Sequence, residues 1–279
     1  MRTAAYRSVM LWSVVLSLLV LIASVAGLVD SRPYDQETEN WRLQAQGQDL
    51  GNLLAVVVLL GAAVRYRAGS ERAGRVWRGA LLYLIYAFMV YAMAVHLNYL
   101  FLVYVAVLAL SAWGVIFHVR DVRSATTAYP QGRARTVAAW VLIVTGLMFA
   151  GLWLSEIVPA LLSDSVPASL TEAGLVVNPI HVIDLAVVLP GFIISGVAAL
   201  QGRDHGLFWL APWLVFSVLM GASIVAAMVL LSASGATGAL PGMVFVSLIV
   251  LASLVAVIGY LRPPSLASSP ERVAVPTIS

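Results

Sequence analysis

The sequence predicts an all-α protein: a polytopic membrane bundle of about eight transmembrane helices with both termini cytoplasmic. Three observations predict it. Of 279 residues, 61% are hydrophobic and only 10% charged, against about 25% charged in a soluble domain. The apolar residues form continuous runs near the roughly 20 residues needed to cross a bilayer, not the alternation of a β-barrel. The few charges are sorted by sign along the chain.

The runs are read in order as spans over 8–29, 50–64, 79–97, 99–118, 136–155, 179–200, 207–231 and 243–261. The third and fourth form a tight hairpin, because His96-Leu97-Asn98 is the only polar break between them. The first run exceeds the 7–15 apolar residues of a signal peptide, so it is expected to stay as a helix despite Ser24-Val25-Ala26. Residues 1–262 are taken as one transmembrane domain, with longer outer loops over 30–48 and 157–178. Residues 263–279, rich in Pro and Ser, are expected to be a disordered cytoplasmic tail. Within the second loop, Pro167 and Gly174 bracket one or two helical turns.

Orientation follows from the arginines, which supply every one of the 16 basic charges. With the N-terminus inside, all but Arg32 and Arg42 fall on the cytoplasmic side, as the positive-inside rule requires. Acidic residues such as Asp30, Asp35, Glu37, Glu39, Asp164 and Glu172 fall on the outer side. Trp12, Trp77, Trp140, Trp209 and Trp213 lie near inner helix ends, as interfacial anchors. The expected location is a bacterial plasma membrane, with the bilayer itself as the first partner. The net charge of +3 reflects this sorting rather than a nucleic-acid surface.

The absent residue types narrow the chemistry. Without Cys there is no thiolate zinc site, iron–sulfur cluster or thiol catalysis. Without Lys there is no Schiff-base link and no P-loop lysine. Imidazole, carboxylate and hydroxyl groups remain, and no cofactor is expected.

Ionisable groups within spans are functional candidates by default. The sharpest cluster runs from Asn178 to Asp184. Asn178 is a good N-cap and Pro179 a good first residue. His181 and Asp184 then share a face at i and i+3. Asp184 lies roughly 9 Å inside the helix, and Pro190 frees the carbonyl of Ala186 and bends the rod. The alternative is a packing pair. A second cluster is Gln48-Asp49 with Asn52 at the expected outer start of the second span, where Asp49 can serve simply as a helix-terminal acid. His96 and Asn98 at the hairpin are a third, with an interfacial turn as the alternative. Glu156, beside Trp153 and Ser155, is a fourth. Tyr83, Tyr86 and Tyr91 on the third span, and Tyr104 and Ser111 on the fourth, either line a polar interior or bond between helices.

Gly47-Gln48-Asp49-Leu50, the Tyr-rich third span, Asn98-x-Leu100-Phe101-x-x-Tyr104 and Asn178-Pro179-x-His181-Val182-x-Asp184 resemble segments of a group of uncharacterised bacterial multi-pass membrane proteins. The resemblance covers most of the chain. It implies no catalytic role and points to the same outer-layer residues.

By topology Asp49, His96, Glu156, His181 and Asp184 share the outer layer. The expectation is one outward-facing polar pocket that binds a small molecule or ion, in a transporter or a sensor. His181 and Asp184 form its floor, with Asn178, Asn98, Tyr86 and Tyr104 among the ligand-binding candidates. Two alternatives stay open. One is a membrane-embedded hydrolase or transferase acting on a lipid-linked substrate, with His181 as base. The other is an accessory subunit packing on a membrane protein or a second copy.

Overall fold

The computed structural model of the chain describes residues 2–123, 129–130, 132–235 and 239–262; among these it holds helices and no strand. The helices are α1 (Arg2–Val29), α2 (Glu39–Arg67), α3 (Glu71–Ala94), α4 (Phe101–Arg123) and α5 (Arg133–Leu162). They continue with α6 (Ala168–Ala173), α7 (Pro179–Ile183), α8 (Leu189–Leu200), α9 (Asp204–Ala233) and α10 (Ala239–Leu261). A π-helical segment, Asp184–Val188, joins α7 and α8 into one rod. Among the described residues, seven helices are long and apolar enough to cross a membrane. The apolar stretch of α4, Phe101–Phe117, is shorter.

Local chemistry sets the boundaries. Thr38 caps α2, its hydroxyl oxygen accepting from the Trp41 N–H at 3.2 Å. Glu39 in the first turn and Arg65 and Arg67 in the last match the helix dipole. Asn178 caps α7 by accepting from the Ile180 N–H at 2.9 Å. Six residues after Asp184 comes Pro190, whose ring in a regular helix strikes the carbonyl of Ala186. The helix answers by widening: the Leu189 N–H reaches back five residues to the Asp184 carbonyl. Such π-bulges concentrate at functional sites.

Two expectations about loops need correction. Residues 39–48 are the first turns of α2, not loop. They read as polar, yet Trp41, Leu43, Ala45 and Gly47 are buried against protein, so the helix needs no lipid-facing apolar run there. Likewise α5 continues to Leu162, so the second long connection begins at Ser163 and contains α6. The expected tail at 263–279 lies outside the described residues.

The helices form two rings of the same connectivity. In the first, α1 packs on α2 and α4, and α3 packs on the same two. In the second, α5 packs on α8 and α10, and α9 on the same two. The rings join where α9 meets α2 and α3. A Cβ on Gly47 would collide with the Ala227 backbone, so glycine permits the close approach of α2 to α9. Between apolar helices in lipid, association rests on packing and hydrogen bonds of roughly 0.5–2 kcal/mol each. The indole N–H of Trp12 donates to the Leu110 carbonyl (2.9 Å), Trp77 donates to Ser13 (2.7 Å), and the Tyr260 hydroxyl donates to the Leu207 carbonyl (2.6 Å).

The opposite, acidic end is laced by its connections. The Thr38 hydroxyl donates to the Glu172 carbonyl (2.8 Å), and the Trp41 indole to the Ala94 carbonyl (2.7 Å). The Tyr99 hydroxyl donates to Asp30 (2.7 Å), which also holds Arg32. The Asp30 carboxyl is kept well below the usual carboxylate range, first by Arg32 and then by Tyr99.

Candidate functional site

The structure separates the candidate carboxylates into two environments, one in each ring. Asp49 is the eleventh residue of α2, roughly 15 Å from its start. It is therefore not a helix-terminal acid. Its side chain is fully buried. The Tyr34 hydroxyl donates to Oδ2 and the Tyr91 hydroxyl to Oδ1, both at 2.8 Å. Tyr91 also approaches the Ala45 carbonyl at 3.0 Å. The Asn52 amide donates to Ser24 Oγ at 3.0 Å, leaving the Ser24 proton for Asp49 beside it. Tyr34 arrives on the short turn Arg32–Tyr34, and burial, followed by the Asp49 charge, raises its phenol well above the ordinary range. Tyr34 thus remains a donor. A Cβ on Gly27 would strike both Asp49 Oδ2 and the Tyr34 hydroxyl, so α1 closes the last side.

Asp184 begins the π-helical segment and is 8% exposed. The Trp153 indole N–H donates to its Oδ2 at 2.8 Å, and the Tyr86 hydroxyl lies beside the same carboxylate. The expected His181–Asp184 pair is not formed. Trp153 touches both instead: its ring centroid is 4.6 Å from that of His181 while its N–H holds Asp184. His181 instead turns Nε2 toward Glu156 Oε2 at 3.9 Å, too long for a hydrogen bond. The Ser169 hydroxyl donates to the other Glu156 oxygen.

Asp184 lines a cavity of about 400 Å³ at the seam between the two rings. The walls come from α2, α3, α5, the α7–α8 rod, α9 and α10. Most are apolar, among them Phe149, Phe245, Met220 and Met228. The polar groups are few: Gln44, Gln48, Tyr86, Tyr91, Thr145, Trp153, Ser217 and Ser223 beside Asp184. Gln48 is fixed by donating to the Tyr83 hydroxyl (2.5 Å) and accepting from Ser223 (3.3 Å). Toward the arginine-rich end, Phe192 and Phe216 form the floor, T-shaped at 5.9 Å and backed by Trp213 at 5.5 and 5.6 Å.

The five expected residues therefore do not surround one pocket; of them only Asp184 lines the cavity. Glu37 accepts from both the backbone N–H and Nδ1 of His96, at 2.7 and 2.9 Å, making a surface latch. Asn98 shapes the hairpin turn, donating to the carbonyls of Pro33 and His96 and accepting from the Leu100 N–H. Asn178 is spent on its cap. Tyr104 stacks on Tyr91 at 5.2 Å and 26°. Tyr86 does line the cavity. Trp41, Gln44 and Thr145 also line it and lay outside the sequence reading, as did the role of Tyr34. The only signal for Tyr34 was an aromatic after Pro33 in a polar stretch. Among the described residues, no three His, Asp or Glu side chains gather as a metal site.

The arrangement defines a class of protein: an all-helical bundle, with helices long and apolar enough to cross a membrane, around a mostly apolar cavity with a few polar groups. Set against protein-family models, curated proteins and solved structures, the chain matches none.

Proposed function

We propose that the chain is an eight-span protein of a bacterial plasma membrane that binds a small molecule in the seam cavity, as a transporter or a sensor. The observation that carries this reading is the cavity itself: about 400 Å³, mostly apolar, with a few convergent polar groups. That combination is the usual character of a small-molecule site. In this reading α4 is the eighth span, and the arginine-rich end with both termini faces the cytoplasm by the positive-inside rule. The cavity then lies in the outer half, and the Phe192–Phe216–Trp213 cluster closes it from the cytoplasm. Two of the segments that resemble bacterial multi-pass proteins, 47–50 and 178–184, supply Gln48 and Asp184 to the cavity wall.

Because the chain has no Cys, a single introduced thiol reports on the cavity without background. Met220→Cys, on the cavity wall, should react in intact cells with a membrane-impermeant cationic methanethiosulfonate added outside. Val57→Cys, on the exposed apolar surface, should not. Silence at Met220→Cys in a protein that folds and reaches the membrane overturns the outward-facing cavity.

A further inference from the structure

The chemistry of the cavity wall narrows its ligand. Asp184 is more than nine-tenths buried, and among the described residues no ion pair involves it. Its partners, the Trp153 indole and the Tyr86 phenol, are neutral donors. They satisfy some of the roughly four acceptor positions of a carboxylate and supply no compensating charge. His181, three residues before Asp184, does not supply it either: it faces Glu156, and its ring packs on Trp153. Among the described residues, no Arg lines the cavity. A buried carboxylate is costly as a bare anion, so it either keeps its proton or is joined by something positive, and only beside a cavity can a ligand supply that charge.

The remaining wall suits such a partner. Tyr86, Trp153, Phe149 and Phe216 share the cavity with Asp184. Aromatic faces attract cations, more strongly where water is excluded. Met220 and Met228 add unbranched, adaptable surface. The contrast with Asp49 is instructive, since that carboxylate is surrounded by hydroxyl donors and is not among the residues lining the cavity.

We infer that the cavity takes a lipophilic monocation: an ammonium or phosphonium centre at Asp184, with an apolar body against the Phe and Met walls. This rests on the cavity being a ligand site. Its charge selectivity is a separate claim, and the test separates the two.

The probe is tetraphenylphosphonium, with triphenylphosphine oxide as a neutral aromatic comparison. Both are titrated against purified full-length Met220→Cys protein, reading protection of the thiol from modification. The phosphonium should protect at a concentration at least about tenfold lower than the oxide. Asp184→Asn should raise the phosphonium requirement by at least about tenfold, the loss expected when one partner of a buried charge pair is removed. It should leave the oxide unchanged. Asp184→Glu, which keeps the charge, should recover most of the phosphonium protection. Equal protection by both probes in the otherwise native protein overturns cation selectivity and needs no further variant. So does Asp184→Asn with unchanged phosphonium protection. A thiol that reacts and is protected by neither probe overturns the ligand class. A thiol that never reacts overturns the cavity reading itself.

Discussion

Asp49 and Asp184 are both buried carboxylates, each on the second long helix of its ring, and they differ in what surrounds them. Asp49 is enclosed by Tyr34, Tyr91, Ser24 and the bare backbone of Gly27. Asp184 is held by one indole, stands beside one phenol, and borders open space. Burial alone therefore does not mark a site. A carboxylate ringed by hydroxyl donors from three helical segments acts as a joint between helices. A carboxylate with acceptor capacity left, beside a cavity, is available to a ligand. Tyr91 connects the two environments, since it donates to Asp49 and also lines the cavity.

The contrast can be broken most directly by truncating each acid. Asp49→Ala leaves the Tyr34 hydroxyl without its acceptor, at a cost of about 1–3 kcal/mol, and leaves Tyr91 only the Ala45 carbonyl. Asp184→Ala leaves its neighbours next to a cavity that can admit water. Thermal unfolding in detergent should show the larger loss for Asp49→Ala by at least about 1 kcal/mol. Equal losses would mean that the two carboxylates play the same structural part.

A smaller effect is expected from Tyr91→Phe. It keeps the ring stacked on Tyr104 and removes one donor from Asp49. Stability should fall by about 1–3 kcal/mol. Reactivity of the Met220→Cys thiol should stay within about twofold, because the wall keeps its shape. A large rise in reactivity would show that the Asp49 joint also governs the cavity.

The smallest effect belongs to the surface contact at Asp30. Arg32, then Tyr99, depresses its carboxyl. A carboxyl lowered on folding stabilises above its unfolded value of about 3.9 and loses that contribution as pH falls through the folded value. The melting temperature difference between the native protein and Tyr99→Phe should thus stay constant from pH 7 to about pH 4.5. It should shrink only at lower pH. A difference that disappears near pH 6 would assign the acid sensitivity to another group.

Much of the helical layout was legible in the sequence. Asn178 and Pro179 start α7 where the cap chemistry placed them, and Pro190 perturbs its rod as a missing N–H requires. The start of α2 was not legible, because residues 39–48 bury small and aromatic side chains against protein without a hydrophobic run. The Gly47-Gln48-Asp49 triplet shows the same limit. Successive residues of a helix point about 100° apart, so Gly47 meets α9, Gln48 faces the cavity and Asp49 faces the closed joint.

Composition and apolar run length determined by themselves that the chain is helical, with helices fit to cross a bilayer. Both are local properties, set by the cost of unpaired backbone and polar groups in lipid. Tertiary structure alone decided which buried acid borders the cavity. That depends on whether a hydroxyl from a distant segment, such as Tyr34, or an indole, such as that of Trp153, reaches the carboxylate. Neither is written in spacing along one helix, because both are contacts between residues 15 and 31 positions apart.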